Sequence, residues 1–206
     1  MKYRFELLAV LLLVPAASLG NEISQKVDRD SDSETLRVFI FAGQSNKFTH
    51  SGSQINDWTP KGTDAKDRNL YLPLIGFIQN SIEELQEKGH QVELAGIFYH
   101  VGENDMSFVP YRREASKWLQ STVAQSRLDL AIPSLRWYVS QQPPTDGKEL
   151  NAIDVTANLA AIADSDPAFI HLKAFNLPPQ NEGLVITTAG IVQLGELLAE
   201  CYLEHR

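Results

Sequence analysis

The chain has 206 residues, 43% of them hydrophobic and 21% charged, which suits one sizeable core, and its 12 Gly and 10 Pro are too few for a fibrous or low-complexity protein. Its 18 Lys and Arg against 26 Asp and Glu give a formal charge of −8 with no dense basic cluster, which disfavours nucleic acid and anionic membranes as partners. A single cysteine, Cys201, excludes an intrachain disulfide and a cysteine-based zinc cluster.

Lys2 and Arg4 precede the apolar run Leu7–Val14, and Pro15 with small residues follows through Gly20. The run is far short of the roughly 20 residues that cross a bilayer, so no membrane span is expected. Residues 1–20 are expected to be a cleaved secretory signal, placing the mature protein outside the cell or in a periplasm; a buried N-terminal helix is the alternative. Residues 21–34 (NEISQKVDRDSDSE) offer only Ile23 and Val27 for burial and are expected to form a flexible lead-in. One domain is expected over 35–206.

Leu36 to Ala42 (LRVFIFA) is β-rich and apolar, suiting a buried strand, and a polar loop of about two dozen residues follows. Leu74, Ile75, Ile78, Ile82 and Leu85 recur at helical spacing, and Gly89 closes that helix. Val92–Tyr99 is the second strand. A helix opened by Pro110 runs to about Ser126, and Leu135–Ser140 is the third strand. After the loop QQPPTDGKE come a helix over Leu150–Ala163, a fourth strand over Phe169–Phe175, and a loop over Asn176–Gly183. Ile191, Leu194, Leu198 and Cys201 then mark one face of a closing helix. Strands alternating with helices imply parallel pairing and right-handed crossovers, hence a three-layer α/β/α sandwich with a mainly parallel sheet. Ligands of such folds bind at the carboxyl ends of the strands.

Two of the loops there carry chemistry. In Gly43-Gln44-Ser45-Asn46, a serine beside glycine at a strand end can present a nucleophilic hydroxyl, or Ser45 and Asn46 can simply cap a turn. In Gly102-Glu103-Asn104-Asp105 an amide and two carboxylates gather, as a polar site or as an Asx turn or helix cap.

VFIFAGQSN followed by FYHVGEND resembles the first and third blocks of SGNH hydrolases, in particular the sialate O-acetylesterase-like branch of carbohydrate esterases, which reads GQSN and QGExD. LVITTAGIVQLGELLAE is similar to that branch's closing block, where D-x-x-H precedes a glycine and a terminal helix. The resemblance extends over about Leu36 to Leu203. It implies a flavodoxin-like fold and deacetylation of O-acetylated carbohydrate. It further implies Ser45 as nucleophile and part of the oxyanion hole, Gly102 and Asn104 as catalytic positions with the Asn104 amide donating to the oxyanion, and Gln44, Glu103 and Asp105 on the substrate side.

The chain departs from the branch at three places. Val101 replaces its glutamine. Aligning EGLVITTAG with DGLHxTxxG sets Glu182 on the aspartate and Val185 on the histidine, and valine cannot take a proton. Between Asn46 and Leu72 no counterpart of the block with the second oxyanion glycine is evident. An unactivated serine hydroxyl is a poor nucleophile, and a general base contributes about 10² to 10⁴ in rate. Among substitutes, His50 lies nearest in sequence to Ser45. His100 reads better as a rim or packing residue, His171 as a residue held within its strand, and His90 and His205 as surface residues. No histidines pair at metal-ligand spacing and no glycine loop suits a phosphate, so neither metal nor other cofactor is expected. Cys201 reads as a small buried hydrophobe. Trp58, Trp118 and Trp137 are the aromatics considered as a sugar floor, with only Trp58 in an expected loop. Two functions follow: an exported carbohydrate O-acetylesterase, or a catalytically impaired relative acting as a carbohydrate-binding or accessory protein.

Overall fold

In the computed structural model, residues 10–15, 35–43, 55–61, 69–144, 146–177, 179–180 and 185–206 are described. Five strands form one sheet in chain order: β1 (Val10–Pro15), β2 (Thr35–Gly43), β3 (Gln91–Val101), β4 (Trp137–Gln141) and β5 (Phe169–Lys173). The last four pair in parallel, as expected from the alternating pattern. β1 runs antiparallel along the outer edge of β2, from Val10 opposite Phe41 to Pro15 opposite Leu36. Val10–Val14 of the apolar run expected as a signal segment therefore lies in the sheet as an edge strand.

The helices are α1 (Tyr71–Glu87), α2 (Glu103–Ser107), α3 (Val109–Asp129), α4 (Lys148–Asn151), α5 (Val155–Ser165) and α6 (Thr188–His205). On one face of the sheet, Leu74 and Ile78 of α1, Leu119 and Val123 of α3 and Leu159 of α5 pack with Val38, Ile97 and Val139. On the other, Leu198, Cys201 and Tyr202 of α6 pack with Phe39, Phe98, Tyr138 and Ile170. Helices thus cover both faces, and every residue of β4 is buried, which is why this central strand shows no polar alternation.

Local chemistry sets the helix ends. Gly89, at φ +86°, ends α1 in a Schellman arrangement: its N–H donates to the Gln86 carbonyl and the His90 N–H to the Leu85 carbonyl. The Thr187 side chain caps α6 by accepting the Gly190 N–H at 3.0 Å.

Four expectations are corrected. The helix expected over Leu150–Ala163 is two helices, because the Asp154 carboxylate accepts the Ala157 N–H at 2.8 Å and opens α5 afresh. The long polar loop contains a 3-10 helix, Ile55–Trp58, and the loop Asn176–Gly183 contains β6 (Pro179–Gln180), which pairs with β7 (Val185–Ile186). Trp58 is 3% exposed and meets the Tyr99 ring edge-on at 5.9 Å, so it belongs to the core and cannot floor a sugar site. Trp137 is fully buried and Trp118 packs against the same core.

Candidate functional site

Parallel pairing delivers the strand ends side by side. Gly43, the last residue of β2, pairs with His100, which pairs in turn with Ser140 of β4. The chain therefore leaves β2 toward Gln44 and Ser45 at the same sheet edge where β3 leaves toward Gly102. Gln44, Ser45, Asn46 and His50 lie outside the described residues, as does Glu182. Beyond Val101 the backbone stays extended through buried Gly102, at φ −99° and ψ −166°, and then winds into α2. The segment Gly102–Asp105, expected as a loop, is thus a helix start, and Glu103 and Asn104 lie in its first turn. Their side chains lie outside the described residues. Val101 is fully buried in the apolar core, so the position that reads glutamine in the resembled branch faces packing here.

Beneath this edge sit carboxylates that ordinary surfaces do not bury. Asp105 is 0% and Asp57 1% exposed. Burial first, then the charges of Asp105 and Asp57, push the Tyr99 phenol well above its usual pKa. Tyr99 is therefore a neutral hydroxyl, buried without a hydrogen-bond partner among the described residues.

Two histidines stand on the same part of the sheet. His100 Nδ1 lies 2.8 Å from Ser140 Oγ, while its Nε2 is buried without a partner among the described residues. His171 Nε2 donates to Gln141 Oε1 at 2.8 Å, and Gln141 Nε2 donates to Thr156 Oγ1 of α5 at 2.7 Å. Burial pushes both imidazoles down to about 4; Lys173 adds to the effect at His171. Both are neutral at physiological pH and act as packing and hydrogen-bonding groups. Cys201 is buried and its thiol is pushed up by burial, then by Glu204, which makes it a poor nucleophile. No group of three His, Cys, Asp or Glu among the described residues is placed to hold a metal ion. No helix among them is long and apolar enough to cross a membrane.

Arg112 was not singled out by the sequence reading. It is 3% exposed, and its guanidinium donates from Nη1 to the Met106 carbonyl and from Nε to the Ile153 carbonyl, both at 2.9 Å. It thereby ties α2 to the break between α4 and α5. The signal was available: Arg112 shares the inward face of α3 with Ala115 and Leu119, where a charge is unexpected without buried partners.

Val185, aligned with the histidine of the resembled branch, forms β7 with Ile186 directly before α6.

The family described as carbohydrate esterase, sialic acid-specific acetylesterase, matches residues 47–204, beginning just beyond Ser45. No curated protein matches the chain. Among solved structures, a protein from Arabidopsis thaliana is similar, with 22% identity, a TM-score of 0.56, and coverage of 74% of this chain and 57% of its own. The chain thus spans little more than half of that relative, whose likeness shows a shared fold. With well over half of its length inside the family match, the chain belongs to the carbohydrate esterase family of sialic acid-specific acetylesterases.

Proposed function

We propose that the protein is an exported hydrolase of O-acetylated carbohydrate that works through Ser45 with low turnover. The observation that carries this reading is the pairing of Gly43 with His100, which sets the strand end leading to Ser45 beside the one leading to Gly102–Asp105. In the reaction, Ser45 Oγ bonds to the acetyl carbon as the acetyl–sugar C–O bond breaks, the hydroxyl's proton passes to the departing sugar oxygen, and water then attacks the acyl-enzyme, releasing acetate and returning a proton to Ser45 Oγ. Gly102 and Asn104 serve the oxyanion, and Gln44 and Glu103 serve the substrate side; Asp105, expected there from the resemblance, is fully buried and supports the segment from beneath.

Low turnover follows from the base. Position 185 is valine, and His100 and His171, held neutral near pKa 4, are weak proton acceptors. The same observation favours a second reading, an impaired relative that binds carbohydrate without hydrolysing it. Hydrolysis of p-nitrophenyl acetate by purified protein, compared with Ser45→Ala, separates the two. Slow turnover lost in Ser45→Ala supports the hydrolase, and equal rates in both proteins remove it. Export is tested by N-terminal sequencing of exported material: a start near Asn21 supports it, and retention of Met1 removes it.

A further inference from the structure

The cleft that opens between the α2–α3 junction and α4 holds about 480 Å³, within the usual range for small-molecule sites. Ser107, Phe108 and Val109 form one wall, and Lys148, Glu149 and Leu150 the other. The first wall follows the carboxyl end of β3 and the second that of β4, so the cleft lies between βα connections of neighbouring parallel strands, where α/β folds place their ligands. It also adjoins the helix that carries Glu103 and Asp105.

Phe108 dominates the cleft and, at 51% exposure, is the aromatic among the large apolar side chains left exposed in the described residues. Its ring is fixed from behind: Tyr111 meets it edge-on at 4.8 Å, and Tyr111 in turn approaches Trp118 at 6.4 Å. Its backbone is fixed too, because the Phe108 carbonyl accepts the Arg112 N–H at 2.9 Å at the start of α3. Opposite, Gly147 at φ +153° opens α4, a conformation that a side chain rarely adopts, and exposed Lys148 and Glu149 follow. A rigid, half-exposed aromatic face ringed by a hydroxyl, an ammonium and a carboxylate complements a molecule with one apolar face and a polar rim. A pyranose ring has that character, whereas the three tryptophans that could have served are turned to the core.

We infer that this cleft is a sugar-ring subsite in which the carbohydrate stacks its C–H face on Phe108. The inference rests on the carbohydrate reading above and adds where the sugar sits.

The test measures binding of O-acetylated N-acetylneuraminic acid and O-acetylated xylose by calorimetry to the full chain, to Phe108→Ala and to Phe108→Trp. Phe108→Ala is expected to weaken affinity about tenfold and Phe108→Trp to keep it. Equal affinity of the wild type and Phe108→Ala overturns the subsite, as does absence of sugar binding by the wild type. The two proposals fail separately. Sugar binding that depends on Phe108 without Ser45-dependent turnover keeps the subsite and removes the hydrolase; Ser45-dependent turnover with affinity indifferent to Phe108 does the reverse.

Discussion

His100 Nδ1 rests 2.8 Å from Ser140 Oγ across neighbouring strands, and the imidazole is held neutral to about pH 4 by burial. In the unfolded chain a histidine takes up its proton near 6.5. Between these values the unfolded state binds the extra proton, so stability is complete above about pH 6.5 and is lost as pH falls toward 4. His100 alone contributes a loss of about 2 kcal/mol between pH 7 and pH 5, and His171 acts in the same direction. Urea unfolding at the two pH values measures it; His100→Gln should reduce the difference by about that amount and leave the His171 contribution.

Placing a histidine at the position aligned with the branch's base is the sharpest test of the proposed site. Val185→His is expected to raise hydrolysis of p-nitrophenyl acetate by about 10² to 10⁴ over a weak wild-type rate. Fast wild-type turnover abolished by Ser45→Ala would instead assign the base elsewhere, and His50→Ala and His100→Ala would identify it.

Arg112→Ala removes two charge-assisted hydrogen bonds from buried carbonyls and should cost about 2–4 kcal/mol. Arg112→Lys should recover little, since an ammonium cannot reproduce the fork that reaches Met106 and Ile153 together. Thermal unfolding checks the stability, and any Ser45-dependent turnover should fall with it because α2 loses its tether.

Gly96→Ala tests the packing of the sheet. A Cβ there would lie 2.7 Å from Tyr138 Cε2, and Tyr138 is fully buried in a stack with Phe98 and an edge contact with Tyr202. The ring has nowhere to retreat, and a loss of about 1–3 kcal/mol is expected in denaturant unfolding.

The four parallel strands were legible because each is a short run of β-branched and aromatic residues set between helical patterns. The break at Asp154 was not, since no proline or glycine marks it and the apolar spacing of Leu150, Leu159 and Ile162 continues across it. Only the capping geometry of Asp154 on Ala157 reveals the stop. The pairing of the two strand ends followed from parallel topology alone. The inward course of Trp58 did not, because a tryptophan in a polar stretch reads as exposed until the tertiary contact with Tyr99 is seen. Phe108 is illegible for the opposite reason: nothing in sequence tells that this aromatic at the start of α3 stays half-exposed while Tyr111 and Trp118 turn inward.

The antiparallel ladder of Val10–Pro15 on β2 has a practical consequence if the chain is processed at the proposed signal site. Cleavage near Gly20 would strip β2 of that partner and leave the N–H and C=O groups of Leu36–Phe41 that face it unpaired, on a strand whose only charge is Arg37 and whose other edge stays paired with β3. Such an edge is a template for a further strand from a neighbouring molecule. Protein beginning at Asn21 should therefore self-associate as its concentration rises, while the full chain stays dispersed, and light scattering of the two side by side would show it.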